Sequence, residues 1–104
     1  MNIVAVTACA TGVAHTFMAK RAIEDAAKNR GHQVKVETQG ATGIEDELTK
    51  KDIEEADILI LASDVKLARS ERFEGIKKVN IPVAAAIRNA DSLIRKIEEK
   101  LNEK

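Results

Sequence analysis

Apolar and polar positions divide the chain into short alternating blocks. Residues 2–8, NIVAVTA, form an apolar run rich in β-branched side chains, which predicts a first strand. In AHTFMAKRAIEDAAKN, residues 14–29, apolar Ala14, Phe17, Met18, Ala22 and Ala26 recur at helical spacing, with Lys20, Arg21, Glu24 and Asp25 on the other side. Gly31 supplies a terminator. QVKVET, residues 33–38, alternates and predicts a second, half-exposed strand, followed by the glycine-bearing loop QGATGIEDEL. Thr49 is placed to cap a short helix, KKDIEEA. DILILA, residues 57–62, is uninterrupted and predicts a buried third strand. SDVKLARSERFEG is a polar loop with room for one helical turn, and VNIPVAA predicts a fourth strand. The closing helix, NADSLIRKIEEKLNEK, carries Leu93, Ile94, Ile97 and Leu101 on one face. No internal repeat, low-complexity stretch or linker interrupts the order, so residues 1–104 are expected to form a single domain.

Strands alternating with helices predict an α/β fold: a three-layer α/β/α domain on a four-stranded parallel sheet. Proline cannot donate to a strand ladder, so Pro82 should put the fourth strand at an edge. The order 2-1-3-4 satisfies this and makes the first strand central. Ligands of such sheets bind beyond the carboxyl ends of the strands, at the switch point, here between strands 1 and 3. The loop after the first strand is therefore the expected site.

Composition narrows the possible functions. Aromatic residues are 2% of the 104, with no Trp or Tyr, while hydrophobic residues are 44%, so the core must be aliphatic and alanine-rich. Lys+Arg and Asp+Glu are equal at 17 each, which argues against nucleic acid as a partner. No apolar run approaches the roughly 20 residues of a membrane span, and no basic lead-in marks a signal peptide, so no direct membrane insertion is expected. The single cysteine excludes an internal disulfide and cannot alone build a Cys-based zinc site. A reducing, cytoplasmic setting follows by default, with no metal and no cofactor expected.

That cysteine is Cys9, in VTACATGVAHT, where a strand gives way to a helix. Helix N-termini carry unsatisfied N–H groups and a partial positive charge, which favour a thiolate and can hold a phosphate. Gly12 lets the backbone turn; Thr11, Thr16 and His15 can donate hydrogen bonds. A nucleophile and an anion cradle coincide, which points to a cysteine that becomes phosphorylated. The plainer alternatives are a small buried hydrophobe at Cys9, a packing or capping role for His15, and a turn at Gly12. His32 is expected to be exposed and without a role. Low-molecular-weight tyrosine phosphatases share the architecture but place an arginine after Cys and five further residues. Here His15 holds that position and the loop has no arginine, so the fork that grips a transferring phosphate is missing. A neutral cradle suits a carrier that passes phosphate onward.

The segments VTACATGVAHTFMA, VKVETQGATGIEDELT, ADILILASD and RFEG resemble, in order, the fructose family of enzyme IIB domains of the bacterial phosphoenolpyruvate-dependent sugar phosphotransferase system. The resemblance spans nearly the whole chain. It implies a phosphotransferase whose cysteine accepts phosphoryl from a phosphohistidine on a IIA partner and delivers it to a sugar, fructose or a relative, bound in a membrane IIC partner. Carried over, that cysteine is Cys9, and the phosphate loop is Ala10, Thr11, Gly12, Val13, Ala14, His15 and Thr16. The family commonly has proline after the cysteine; Ala10 stands there instead, so a backbone N–H is gained. Gln39, Gly40 and Gly43 leave the sheet beside the loop and could form its wall, although either glycine could simply serve a turn. Glu45, Asp46 and Glu47 suit a solvated helix lead-in. In the basic stretch Lys66, Arg69, Arg72, Lys77 and Lys78, a solvated face stands against a partner rim formed around Arg69 and Arg72. A monomer, peripheral to the membrane through its IIC partner, is expected. The alternatives are a phosphorylatable regulatory module that transfers nothing to sugar, and a cysteine-type phosphatase.

Overall fold

The computed structural model describes residues 1–9, 13–40 and 43–102. Strand β1 (Asn2–Ala8) runs through the centre of a five-stranded sheet. Strand β2 (Gln33–Gly40) lies on one side and β4 (Ile58–Ser63) on the other; β3 (Gly43–Glu45) and β5 (Lys78–Ile81) are the edges. Pairing is parallel from β2 through β1 and β4 to β5, and antiparallel between β2 and β3. The expected four-stranded parallel sheet is thus corrected to a mixed sheet of five. The added strand lies in the segment read as a loop. It has three residues and begins at Gly43 with φ +111°, too short for alternation to reveal it.

Helices α1 (Val13–Asn29), α3 (Val83–Arg88) and α4 (Ala90–Asn102) cover one face; α2 (Lys50–Glu55) and a single 3-10 turn, Ser70–Phe73, belong to the other. Period-two alternation sorts the strands between them. Ile3, Ala5, Ile58, Ile60 and Ala62 meet Ala19, Ile23, Ala86, Ile94 and Ile97 in the larger core cluster. Val4, Val6 and Leu59 meet Leu48 and Phe73 in the smaller one. Among the described residues, no helix is long and apolar enough to cross a membrane.

The buried stripe of α1 is Thr16, Ala19, Ile23, Ala26 and Ala27, whereas Phe17 and Met18 are 41% and 52% exposed. The expected inward face was therefore wrong at its two largest residues: small side chains let the helix lie close to the sheet, and bulk alone was a poor guide. The helix ends as expected, with Gly31 at φ +80° and its N–H donating to the Lys28 carbonyl at 3.0 Å. Pro82 does not lie within a strand. Strand β5 stops at Ile81, Pro82 caps α3 with φ −67°, and its carbonyl accepts from Ala85 and Ala86. A missing N–H costs nothing at a helix start, and the alanines that follow are the best helix formers.

Strand β2 also departs from expectation: Val36, Glu37, Thr38 and Gln39 are all buried, so its later half is covered on both faces. Lys35, Glu37 and Gln39 share one face by alternation, and each is tied to the thinner layer. Lys35 bonds Asp52 of α2 at 2.6 Å. Gln39 clamps Ala68, donating to its carbonyl at 3.0 Å and accepting from its N–H at 2.8 Å. Between them the fully buried Glu37 carboxylate accepts two bonds from Arg72, at 2.9 and 3.0 Å, one from Leu48 N at 2.8 Å and one from Gln39 at 2.8 Å. Burial pushes the Glu37 carboxyl up, but the Arg72, Gln39 and Leu48 bonds together outweigh it and hold the carboxyl below its ordinary value. Arg72 also donates to the Leu48 carbonyl at 3.1 Å and lies 4.6 Å from the centre of the Phe73 ring.

Two further clusters fasten the layers. Thr49 caps α2 as expected, in a reciprocal capping box with Asp52. The Lys35 bond, then the Thr49 N–H, lowers the Asp52 carboxyl to about 2. At the amino ends of the strands Glu98 of α4 accepts from Arg30 at 2.8 Å and pairs with His32, whose other ring nitrogen lies 3.2 Å from the amino terminus. His32, expected to be exposed, has a side chain only 12% accessible. Arg30 first, then His32, lowers the Glu98 carboxyl to about 2.

Replacing Arg72 with Leu strands the buried Glu37 charge and should cost about 3–5 kcal/mol, read as a lowered urea midpoint. Asp52 and Glu98 both have folded values depressed from 3.8 and 4.5 to about 2. Their contributions are therefore complete above about pH 5 and are lost as the pH falls toward 2. Asp52→Asn and Glu98→Gln should each lower the melting temperature at pH 6 and flatten its decline between pH 5 and pH 2; an unchanged slope would refute the assignment.

Candidate functional site

The sheet register fixes what stands beside the single cysteine. Ala8, the last residue of β1, pairs with Gln39 on β2 and with Ser63 on β4. Cys9, the next residue, thus emerges at the carboxyl edge between Gly40 and Asp64. Its side chain is half-buried and packs against the larger core cluster. The sulfur lies 3.9 Å from Asp64 Oδ2. The other carboxylate oxygen, Oδ1, accepts from Val83 N at the start of α3 at 3.2 Å, and the Asp64 N–H extends the β1–β4 ladder to the Ala8 carbonyl at 3.2 Å.

Cys9 opens into a cleft of about 390 Å³ whose lining includes Gln39, Gly40, Gly43, Val65 and Lys66. The three residues expected to form a wall, Gln39, Gly40 and Gly43, are therefore brought to the cysteine. The Gln39 amide itself turns away, to Glu37 and Ala68. Of the expected loop, Ala10, Thr11 and Gly12 lie outside the described residues. Val13, Ala14, His15 and Thr16 form the first turn of α1. His15 is exposed, while Thr16 is buried and its carbonyl accepts from Thr7 Oγ1 at 3.2 Å. The latter bond fixes the start of α1 against β1.

The basic stretch separates into different roles. Arg72, expected at a partner rim, is 13% exposed and committed to Glu37, a structural role. Arg69 remains 55% exposed but pairs with Glu47. Its backbone is left-handed, φ 57°, at the entry to the 3-10 turn. Lys66 is exposed and lines the cleft. The acidic run is likewise no free lead-in: Asp46 bonds Lys20 of α1 at 2.8 Å and Glu47 meets Arg69. Glu37 escaped the sequence reading. Its signal was a charged residue in register with two other polar ones on a strand whose neighbours are apolar. The contact of Asp64 with the sulfur was not legible without the β1–β4 register.

Comparison with known proteins gives this edge a context. Residues 4–96 match the family model described as the lactose/cellobiose-specific IIB subunit of the phosphotransferase system. The chain is 50% identical over 100 residues to the fructose-like EIIB component 2 of Escherichia coli strain K12, covering 96% of this chain and 94% of that one. It is 49% identical over 95 residues to the fructose-specific EIIABC component of Bacillus subtilis, covering 91% of this chain but 15% of that longer protein. The solution structure of an Enzyme IIB subunit from Escherichia coli K12 superposes with a TM-score of 0.92 at 46% identity, covering 96% and 93% of the two chains. The family model and the relatives carry different sugar names, so the group is set by the near full-length identity to the fructose-like proteins. The chain belongs to the IIB components of the sugar phosphotransferase systems, in the fructose-like group, and is a phosphotransferase that works with IIA and IIC partners to carry phosphoryl to a sugar.

Proposed function

We propose that Cys9 is the residue that carries the phosphoryl group: its sulfur takes it from a phosphohistidine of the IIA partner and gives it to fructose or a related sugar held by the membrane IIC partner. The observation that carries this reading is the position of the chain's single cysteine at the carboxyl end of the central strand, opening into a cleft just before a 17-residue helix. The N-terminal turn of α1 supplies a field that favours the anion formed there. Residues 10–16 serve as the phosphate loop, and Gln39, Gly40 and Gly43 as the wall. In this reading residues 1–104 work as one cytoplasmic domain, a monomer that reaches the membrane only through IIC.

Partner contact is brief and centred on the Cys9 cleft, because the donor must leave before the acceptor arrives. Lys66, on the lining, supplies the positive side of that rim, whereas Arg69, three residues on, is engaged with Glu47. Rim charges act mainly on the rate of encounter and are screened by salt.

Cys9→Ser should retain the fold and lose phosphoryl acceptance from phospho-IIA, with mass mapping of the wild-type chain placing the group on Cys9. A label on His15 or His32 that survives the substitution would overturn the assignment. Lys66→Glu should slow acceptance by roughly tenfold at low salt, with the defect shrinking as ionic strength rises. Equal rates at low salt would move the docking surface elsewhere.

A further inference from the structure

Asp64 is exposed, but two constraints hold it and together aim one oxygen at the reacting atom. The β1–β4 ladder fixes its backbone against Ala8. The N–H of Val83 fixes Oδ1. Oδ2 then lies 3.9 Å from Cys9 Sγ, where it accepts the thiol hydrogen. A thiol attacks phosphorus only as its sulfur gives up that proton, so the attack requires an acceptor within reach.

We propose that Asp64 is a catalytic residue, taking the Cys9 proton as the cysteine is phosphorylated; this rests on the reading of Cys9 as the carrier. In the first half-reaction the S–H proton passes to Asp64 Oδ2 as the S–P bond forms, and from the exposed carboxyl on to solvent. The P–N bond of a donor phosphohistidine protonated at its other ring nitrogen breaks, and its electron pair stays on the nitrogen of the departing neutral imidazole. In the second half-reaction a sugar hydroxyl attacks phosphorus and releases its own proton to solvent. The S–P bond breaks, its electron pair returns to sulfur, and the thiolate regains a proton from solvent by way of Asp64. One thiol and one carboxylate are restored per cycle.

Among the described residues, the other groups near the sulfur are less suited to this role. Lys66 lines the cleft as a cation, and His15 is exposed on the first turn of α1. Strand β2 offers neutral Gln39 and Gly40, β3 offers Gly43 and apolar Ile44, and α3 the Val83 N–H that already binds Asp64. Among the described residues, Asp64 is the titratable side chain in hydrogen-bond contact with the sulfur.

The test is rapid mixing of the full chain with phospho-IIA, comparing wild type with Asp64→Asn across about pH 5.5–9. Asn keeps a carbonyl oxygen for Val83 N but cannot take a proton. The Asn variant should be slower by about 100-fold at the acid end, where its thiol must ionise to solvent, and the two rates should converge as the pH rises and the thiol ionises unaided. A ratio that stays constant across the range, whatever its size, is the mark of a merely structural residue and overturns the proposal. A second variant, Asp64→Glu, keeps the carboxylate and should recover part of the rate that Asn loses at the acid end; a Glu variant whose pH profile matches that of Asn also overturns the proposal. A wild-type chain that takes no label on Cys9 fails at the earlier step, and the carrier reading falls with the proton relay.

Discussion

A single buried carboxylate organises one side of this molecule. Glu37 cannot lie in the sheet interior without partners, because an uncompensated charge there would cost several kcal/mol. Its partners come from three places: the Leu48 N–H before α2, Gln39 two residues along the same strand, and Arg72 of the 3-10 turn. Satisfying one anion therefore draws two segments distant in sequence onto β2. The apolar contacts of Leu48 and Phe73 then have a surface to fill. The pair gives position more than net stability, as expected of a buried ion pair whose desolvation offsets much of its attraction.

That constraint reaches the site through neighbours. Gln39 bonds Glu37 with the same amide that clamps Ala68, so the segment after β4 is held at a set distance from β2. Between these two segments the carboxyl end of β1 opens into the cleft. The cysteine is thus presented by the central strand, walled by the hairpin edge of β2 and β3, and overlooked by Asp64. On the proposed reading of Cys9, the parallel core of the sheet gives the nucleophile its fixed position, and the loops at its carboxyl edge leave room for partners that come and go.

How much of this was legible depended on distance along the chain. The place of Cys9 between a strand and a helix was legible because the pattern changes period there within a few residues. Thr49 and Gly31 were read correctly for the same local reason. Phe17 and Met18 were misplaced because side-chain size was allowed to choose the helix face, whereas the tight α1–sheet contact is made of alanines. Pro82 was read as interrupting a strand when it begins a helix, since Val83 suits either. Arg72 and Glu37 were invisible as a pair: they stand 35 positions apart, and a charge looks solvated until its partner is known. The nearness of Asp64 to the sulfur required the order of strands and the register between them, which no local pattern encodes.

The two faces of the sheet are fastened by different means. Three helices lie over one with a continuous aliphatic contact; the other is closed by a short helix, a single turn and side-chain links from β2. The seam between β2 and the segment that Ala68 and Arg72 anchor is closed instead by buried polar bonds, whose lengths and angles leave less freedom to slide than apolar contact does. One wall of the cleft is therefore placed by the direction of a few bonds, and the helical layer opposite by area.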